Sequence, residues 1–241
     1  RPRHRHHLGR HLRGGALMRR ASRLFRRRRG DVSLERWYAK PIERARRKAC
    51  HLQEAVTATR GLGGAVVECG VASAGSLIVL SHAVLRSDDA RSIVAVDSFE
   101  GFPDLSEHDG DWFDPRTMKP HYRKFDVEFV RANLSRSGLQ PEEIEQIRFE
   151  KGWIPDVLAG VPEPISLLHL DVDLYQPYAD SLRVLWPQLQ PGAWVLFDEY
   201  DQGRDEEKWP GAKRAIDEFL ATKSLSPIRH WSGFSHVVKM D

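Results

Sequence analysis

Short apolar runs alternate along the chain with longer stretches whose apolar residues recur every three or four positions. The segments "AVVECG" (65–70), "SIVAVD" (92–97), "ISLLHLD" (165–171) and "AWVLFD" (193–198) are short apolar runs, the pattern of strands covered on both faces, and "IRFEKGW" (147–153) holds a further short strand. Between them, "AGSLIVLSHAVL" (74–85), "FDVEFVRANLSRSG" (125–138), "YADSLRVLWPQLQPG" (178–192) and "PGAKRAIDEFLAT" (210–222) carry helical spacing. Gly138 is expected to close the second of these helices and Pro191-Gly192 the third, while Pro210 opens the fourth. "PIRHW" (227–231) and "SHVVKMD" (235–241) read as a closing antiparallel pair. Residues 31–60 are helical in pattern, with Pro41 as a break. Strands alternating with helices predict an α/β fold, a mainly parallel seven-stranded Rossmann-like sheet with helices on both faces, over residues 61–241.

In such a sheet ligands bind beyond the carboxyl ends of the strands. The acids at those ends are Glu68, Asp97, Glu150, Asp171 and Asp198. After the first strand, Gly70, Ala72 and Gly75 have a G-x-A-x-x-G spacing, which lets the backbone turn tightly and approach a ligand. Glu68, just before the turn, would repel a pyrophosphate and attract an ammonium group, and Asp97 suits the two hydroxyls of a ribose. S-adenosylmethionine carries both groups, so this pair favours it over NAD. An NAD(P)-linked oxidoreductase is the alternative enzyme, disfavoured by Glu68 and by the lack of a Tyr-x-x-x-Lys pair.

Asp171 and Asp173 point to one side of an extended segment. Asp198 and Glu199 end the next strand, which a crossover of about 20 residues places beside it. Up to four carboxylates therefore converge, with no Lys or Arg between Leu167 and Asp173 to balance them. A divalent cation is the economical counter-charge, and an all-oxygen set suits Mg²⁺, Mn²⁺ or Ca²⁺ rather than Zn²⁺.

Composition adds three points. The first 30 residues hold 12 Arg and no acid, which leaves 25 of the 37 basic residues against 34 acidic ones in the remainder. An acidic body thus carries a basic arm, expected to be a disordered extension and the one route to nucleic acid. Two cysteines, Cys50 and Cys69, give no disulfide framework. With no apolar run long enough to span a bilayer, a reducing, cytoplasmic setting is expected and no membrane partner. The loop 98–119 carries four aromatics, Phe99, Phe102, Trp112 and Phe113, in otherwise polar chain, as a lid over a bulky acceptor would.

The blocks "ECGVASAGS", "DSFEGFP", "LHLDVDLYQPYADSL", "LQPGAWVLFDEY" and "PGAKRAIDEF", in this order, resemble the macrocin O-methyltransferase family over about residues 60–238. These are class I, S-adenosylmethionine-dependent, metal-dependent sugar O-methyltransferases of antibiotic biosynthesis. The resemblance implies cofactor contacts at Glu68, Gly70, Val71, Ala72, Ser76, Asp97 and Ser98, with Gly152 and Trp153 near the adenine. It implies Mg²⁺ or Mn²⁺ at Asp171, Asp198 and Glu199, where the family usually shows Asp-Asp in place of Asp198-Glu199. The acceptor would be a sugar or polyol hydroxyl, or that of another small molecule. The divalent ion would lower the pKa of that hydroxyl. Catechol-type enzymes, similar around the metal, place a Lys three residues after the first Asp; here that position is Leu174. Asp171, Asp173 and His169 remain as proton acceptors, with Asp171 ranked first. The N-terminal helical region is expected to be either a dimer element, giving a homo-oligomer, or a substrate cap.

Overall fold

The structure is a computed structural model that describes residues 33–87, 89–110, 124–162, 164–200 and 208–240, with side chains from Glu43 onward. The basic arm and the loop aromatics Trp112 and Phe113 lie outside the described residues.

After helix α1 (Ser33–Thr59) the chain runs β1 (Ala65–Cys69), α2 (Gly75–Leu85), β2 (Ser92–Asp97), α3 (Val127–Arg136), α4 (Pro141–Glu145) and β3 (Ile147–Lys151). It continues through β4 (Ile165–Leu170), α5 (Tyr175–Leu185), β5 (Leu189–Phe197), α6 (Pro210–Thr222), β6 (Ile228–Arg229) and β7 (Ser235–Val238). The seven strands form one sheet in the order β3-β2-β1-β4-β5-β7-β6. The first five are parallel, and β7 pairs antiparallel with both β5 and β6. This is the expected mainly parallel sheet.

Alternation along each strand sends successive side chains to opposite faces. Val67, Cys69, Leu168, Leu170, Val195 and Phe197 pack on one side against Leu182 and Leu185 of α5 and Ile216 of α6. Val66, Ala95, Leu167 and Leu196 pack on the other against Leu52 and Val56 of α1, Leu77 of α2 and Leu134 of α3. Both faces of the central strands are covered, so β1, β2 and β4 carry nearly continuous apolar runs instead of alternating with polar residues.

Three features of the structure differ from the sequence pattern. Pro41 does not break the helix: α1 is continuous across it. A proline removes one backbone donor, and a helix held elsewhere tolerates that loss. The second half of α1 also belongs with the sheet, because the compact unit begins at Ala45, not at residue 61. Lastly, α5 stops at Leu185 and a 3₁₀ turn spans Trp186–Gln188, so Pro191 and Gly192 lie inside β5. Pro187 has no N–H to offer the carbonyl of Arg183, which ends the α-helical ladder one turn earlier than the Pro-Gly pair. Gly138 does close α3: its φ is 97°, and Leu139 N–H donates to Leu134 O at 3.3 Å.

Candidate active site

The parallel register lines up the carboxyl ends of the central strands. Cys69 is level with Val96 on one side and Leu170 on the other, and Leu170 is level with Phe197. The next residue of each strand therefore faces the same edge: Gly70, Asp97, Asp171 and Asp198. Backbone bonds continue the ladder one step past the strands, from Gly70 N–H to Val96 O (2.9 Å), Asp171 N–H to Cys69 O (2.9 Å) and Asp198 N–H to Leu170 O (3.0 Å).

Only glycine fits at position 70. Its φ is +88°, and a Cβ there would stand 1.8 Å from the carbonyl oxygen of Asp171. The glycine turn thus lies against the backbone of the acid-bearing strand. Asp97 closes the turn from the other side. One of its oxygens accepts from Val71 N–H (2.7 Å) and Ala72 N–H (3.0 Å), the other from Phe99 N–H (2.7 Å). Three of its roughly four lone-pair sites are occupied by backbone, so Asp97 orders the loops around it as well as facing the cleft. Ser98 Oγ donates to Gly101 O at 2.9 Å and accepts from Glu100 N–H, bracing the following turn.

At the acid cluster the structure supplies a counter-charge that was not expected. Lys48, on α1, places its ammonium 2.6 Å from Asp171 Oδ2 and 2.7 Å from Asp198 Oδ1. Burial works against the charge on Lys48, but Asp171 and Asp198 outweigh it and hold the pKa well above the ordinary lysine range. Burial raises the pKa of Asp171, and the charge of Asp198 raises it further. Burial likewise pushes Asp173 and Glu199 well above the usual carboxylate range, with their acidic neighbours adding to it. Glu199 is 1% exposed and accepts from the Tyr178 hydroxyl. Two overlapping sets of ligand atoms come within 4.8 Å of one another: His169, Asp171 and Asp198, and Asp171, Asp173 and Glu199. Four carboxylates face one close ammonium, with Lys208 assisting Asp173 electrostatically. A surplus of hard oxygen donors on that scale fits a divalent ion of the Mg²⁺ or Mn²⁺ type.

Glu68 and His169 occupy equivalent positions on β1 and β4 and point to the α1 face, where His169 Nδ1 meets Glu68 Oε1 at 3.0 Å. Both are buried, at 1% and 2% exposure. The other Glu68 oxygen is buried without a hydrogen-bond partner. Glu68 was expected to meet the cofactor's ammonium; its side chain pairs instead with His169 inside the fold. The same pairing makes His169 an interior histidine.

A cleft of about 630 Å³, counted with its open mouth, runs along the edge. Its wall includes Gly70, Ala72, Asp97, Ser98, Gly152 and Trp153 together with Asp171 and Asp173. Val71 is buried and Ser76 lies in the first turn of α2, and neither is part of that wall; nor are Glu68, His169, Asp198 and Glu199. Asp173 has a φ of +60°, a left-handed conformation unusual for a residue other than glycine. The described loop aromatics are anchors: Phe99 is 4% exposed and tilted against Phe149, and Phe102 is 7% exposed, stacked near Trp209 and set in the cleft wall. The expectation of exposed lid aromatics therefore fails for these two, because the turn at Ser98–Gly101 directs them inward.

A seven-stranded sheet of this order, with a glycine turn and acids at its carboxyl edge, is that of the class I methyltransferases. Residues 38–232 match the macrocin-O-methyltransferase (TylF) family, and the chain belongs to that family. It is 40% identical over 147 residues to the 8-demethyl-8-(2,3-dimethoxy-alpha-L-rhamnosyl)-tetracenomycin-C 4'-O-methyltransferase of Streptomyces olivaceus, covering 58% of this chain and 54% of that one. It is 31% identical over 173 residues to the mycinamicin III 3''-O-methyltransferase of Micromonospora griseorubida, covering 69% and 64%. The matched region therefore spans between about half and two thirds of these relatives' lengths. Among solved structures, the O-methyltransferase NovP aligns over 81% of this chain and 80% of its own, with 28% identity and a TM-score of 0.66. No helix among the described residues is long and apolar enough to cross a membrane.

Proposed function

We propose that the protein is an S-adenosylmethionine-dependent O-methyltransferase that acts, with a divalent cation, on a sugar hydroxyl of an antibiotic-type natural product. The observation that carries this reading is that one continuous cleft is lined both by the glycine turn and Asp97 and by Asp171 and Asp173. Family membership supports the reaction class. The names of the relatives, which give methyl transfer to a rhamnosyl-bearing tetracenomycin and to mycinamicin III, support the acceptor class.

In this reading the cofactor lies along the wall from Trp153 and Gly152, past Asp97 and Gly70, with its methyl group toward Asp171. The acceptor hydroxyl enters beside Asp173. A C–S bond breaks as an O–C bond forms, the sulfonium becomes a neutral thioether, and the hydroxyl proton passes to a carboxylate. Asp173 takes that proton: it lines the cleft, while the two ion pairs of Lys48 go to Asp171 and Asp198. Asp171, ranked first from sequence, is engaged by Lys48, and His169 by Glu68. The carboxylates of Asp171, Asp198 and Glu199 would hold the cation, whose chemistry when bound is to acidify and orient the hydroxyl. Burying the reactants in a fixed geometry contributes on the order of 7–11 kcal/mol in favourable cases. The test is incubation with methyl-labelled cofactor and a panel of glycosylated acceptors, followed by mass spectrometry. Label should appear on a sugar oxygen, and its absence from every sugar hydroxyl in the panel would speak against the acceptor class.

A further inference from the structure

The side chain of Lys48 reaches the sheet edge from a helix 123 residues away in sequence from Asp171. The two oxygens it holds belong to Asp171 and Asp198, two of the three residues that the proposed function assigns to the cation. An ammonium and a divalent ion cannot both occupy the space between the same two oxygens. We propose that Lys48 is the resident counter-cation of this site, and that a divalent ion loads by displacing its ammonium from Asp171 and Asp198. The inference rests on the cation-dependent reading given above.

The surroundings say which part moves. Leu52, Ala55 and Val56, on the next turns of α1, are between 0% and 3% exposed and lie in the core against β1 and β4. One turn beyond Lys48, His51 hydrogen bonds to His236 of β7 at 3.1 Å. The helix is therefore pinned, and the exchange is a swing of the four-carbon lysine stem. That stem is 18% exposed and has rotatable bonds to spare. The arrangement gives the acid pair two alternative counter-cations. With lysine in place the paired acids are held together without metal; with the ion in place the ammonium is released from them. Apparent cation affinity is lowered by the competition, since only the fraction of protein with Lys48 withdrawn can bind.

Two measurements on full-length protein test this. The first is acetic anhydride footprinting of the unaltered chain by mass spectrometry, with and without saturating Mn²⁺, using Lys223 as the internal reference. Acetylation of Lys48 should rise several-fold with Mn²⁺. The second is Mn²⁺ binding followed by electron paramagnetic resonance. Lys48→Met should bind Mn²⁺ about tenfold or more tightly than the parent, a shift of about 1.4 kcal/mol, and Lys48→Arg should bind no more tightly than the parent. Unchanged acetylation of Lys48 under saturating Mn²⁺ would overturn the proposal even if Lys48→Met does not fold, and so would an affinity gain below about twofold in a folded Lys48→Met. Mn²⁺ binding to neither protein would remove the cation site itself, a failure distinguishable from a site that binds Mn²⁺ with Lys48 still in place.

Discussion

The ammonium of Lys48 stands 2.6 Å from Asp171 and 2.7 Å from Asp198, between two acids that end adjacent parallel strands. Strand register brings the acids together, and α1 then supplies a positive charge from the far side of the chain. Asp171 is the common member: it belongs to both sets of clustered ligand atoms and also contacts the cleft.

Asp171→Asn should therefore be the most damaging single change at the acid edge. Methyl transfer is expected to fall by roughly 100-fold or more, with affinity for S-adenosylhomocysteine nearly unchanged. Glu199→Gln should cost less, because Glu199 is buried against the Tyr178 hydroxyl and a glutamine can still accept that bond. Steady-state kinetics on both variants, beside calorimetry of the demethylated cofactor, give the comparison. Equal losses in the two would contradict this ranking.

Gly70→Ala tests how closely the glycine turn and the acid strand are packed. The new Cβ would meet the Asp171 carbonyl at 1.8 Å in a backbone region that disfavours alanine. Strain of about 1–3 kcal/mol from the dihedral alone, plus the displacement of Asp171, should lower the melting temperature by several degrees. Thermal denaturation followed by circular dichroism should show this, together with loss of cofactor binding.

Asp97→Asn should loosen the cofactor end of the cleft. An amide nitrogen cannot accept from the N–H groups of Val71, Ala72 or Phe99, so at least one buried donor is left unpaired, at about 1–3 kcal/mol. Calorimetry should show affinity for S-adenosylhomocysteine reduced about tenfold or more. Unchanged affinity would mean that these loops need no clasp.

The histidines behind the site give a pH prediction. Burial lowers the pKa of His51 to about 3, assisted by His230 and His236, and that of His236 to about 4, assisted by His230. The acids near this cluster are Asp198, which opposes the shift at His51, and Glu54, paired with His230 at 2.7 Å. Both histidines stay neutral in the folded protein while the unfolded chain takes up protons below pH 6.5. Their contribution is therefore complete above pH 6.5 and falls as pH drops toward 4 and 3. The buried carboxylates act in the opposite sense, since their raised pKa values favour the folded form in acid. Comparing denaturant unfolding of the parent and His236→Asn between pH 7 and 5 isolates the histidine. The parent should lose stability relative to the variant with a slope approaching about 1.4 kcal/mol per pH unit below the histidine's unfolded pKa.

Sequence pattern revealed the sheet because its central strands β1 and β4 are buried at every position and β2 at all but its ends, which makes each a largely apolar run that ends where the chain turns polar; the edge strand β3 is half exposed and mixed in pattern. It also revealed that Asp171 and Asp198 are neighbours, because a helical crossover between parallel strands leaves little choice of position. Lys48 is not visible from the segment between Leu167 and Asp173, because its helix lies 123 residues from Asp171 in sequence. The helical spacing of Lys48, His51, Leu52 and Ala55, which puts a lysine and a histidine on the same face as core residues, was the available signal. The Glu68–His169 pair was missed because an acid before a glycine turn looks like a ligand contact unless its partner on the neighbouring strand is known. Asp97 announced itself as an acid at a strand end, but its three backbone donors come from loops whose path no spacing rule gives.

The central claim is that these strands end in acids in order to hold a divalent ion for methyl transfer. The direct measurement is single-turnover transfer of labelled methyl to a glycosylated acceptor by enzyme stripped with chelator, its metal content verified by elemental analysis, then restored with Mg²⁺ or Mn²⁺. The account predicts that transfer disappears in the stripped enzyme and returns with either ion. Undiminished transfer in verified metal-free enzyme would contradict it, and would leave Lys48 as the only cation the acid pair requires.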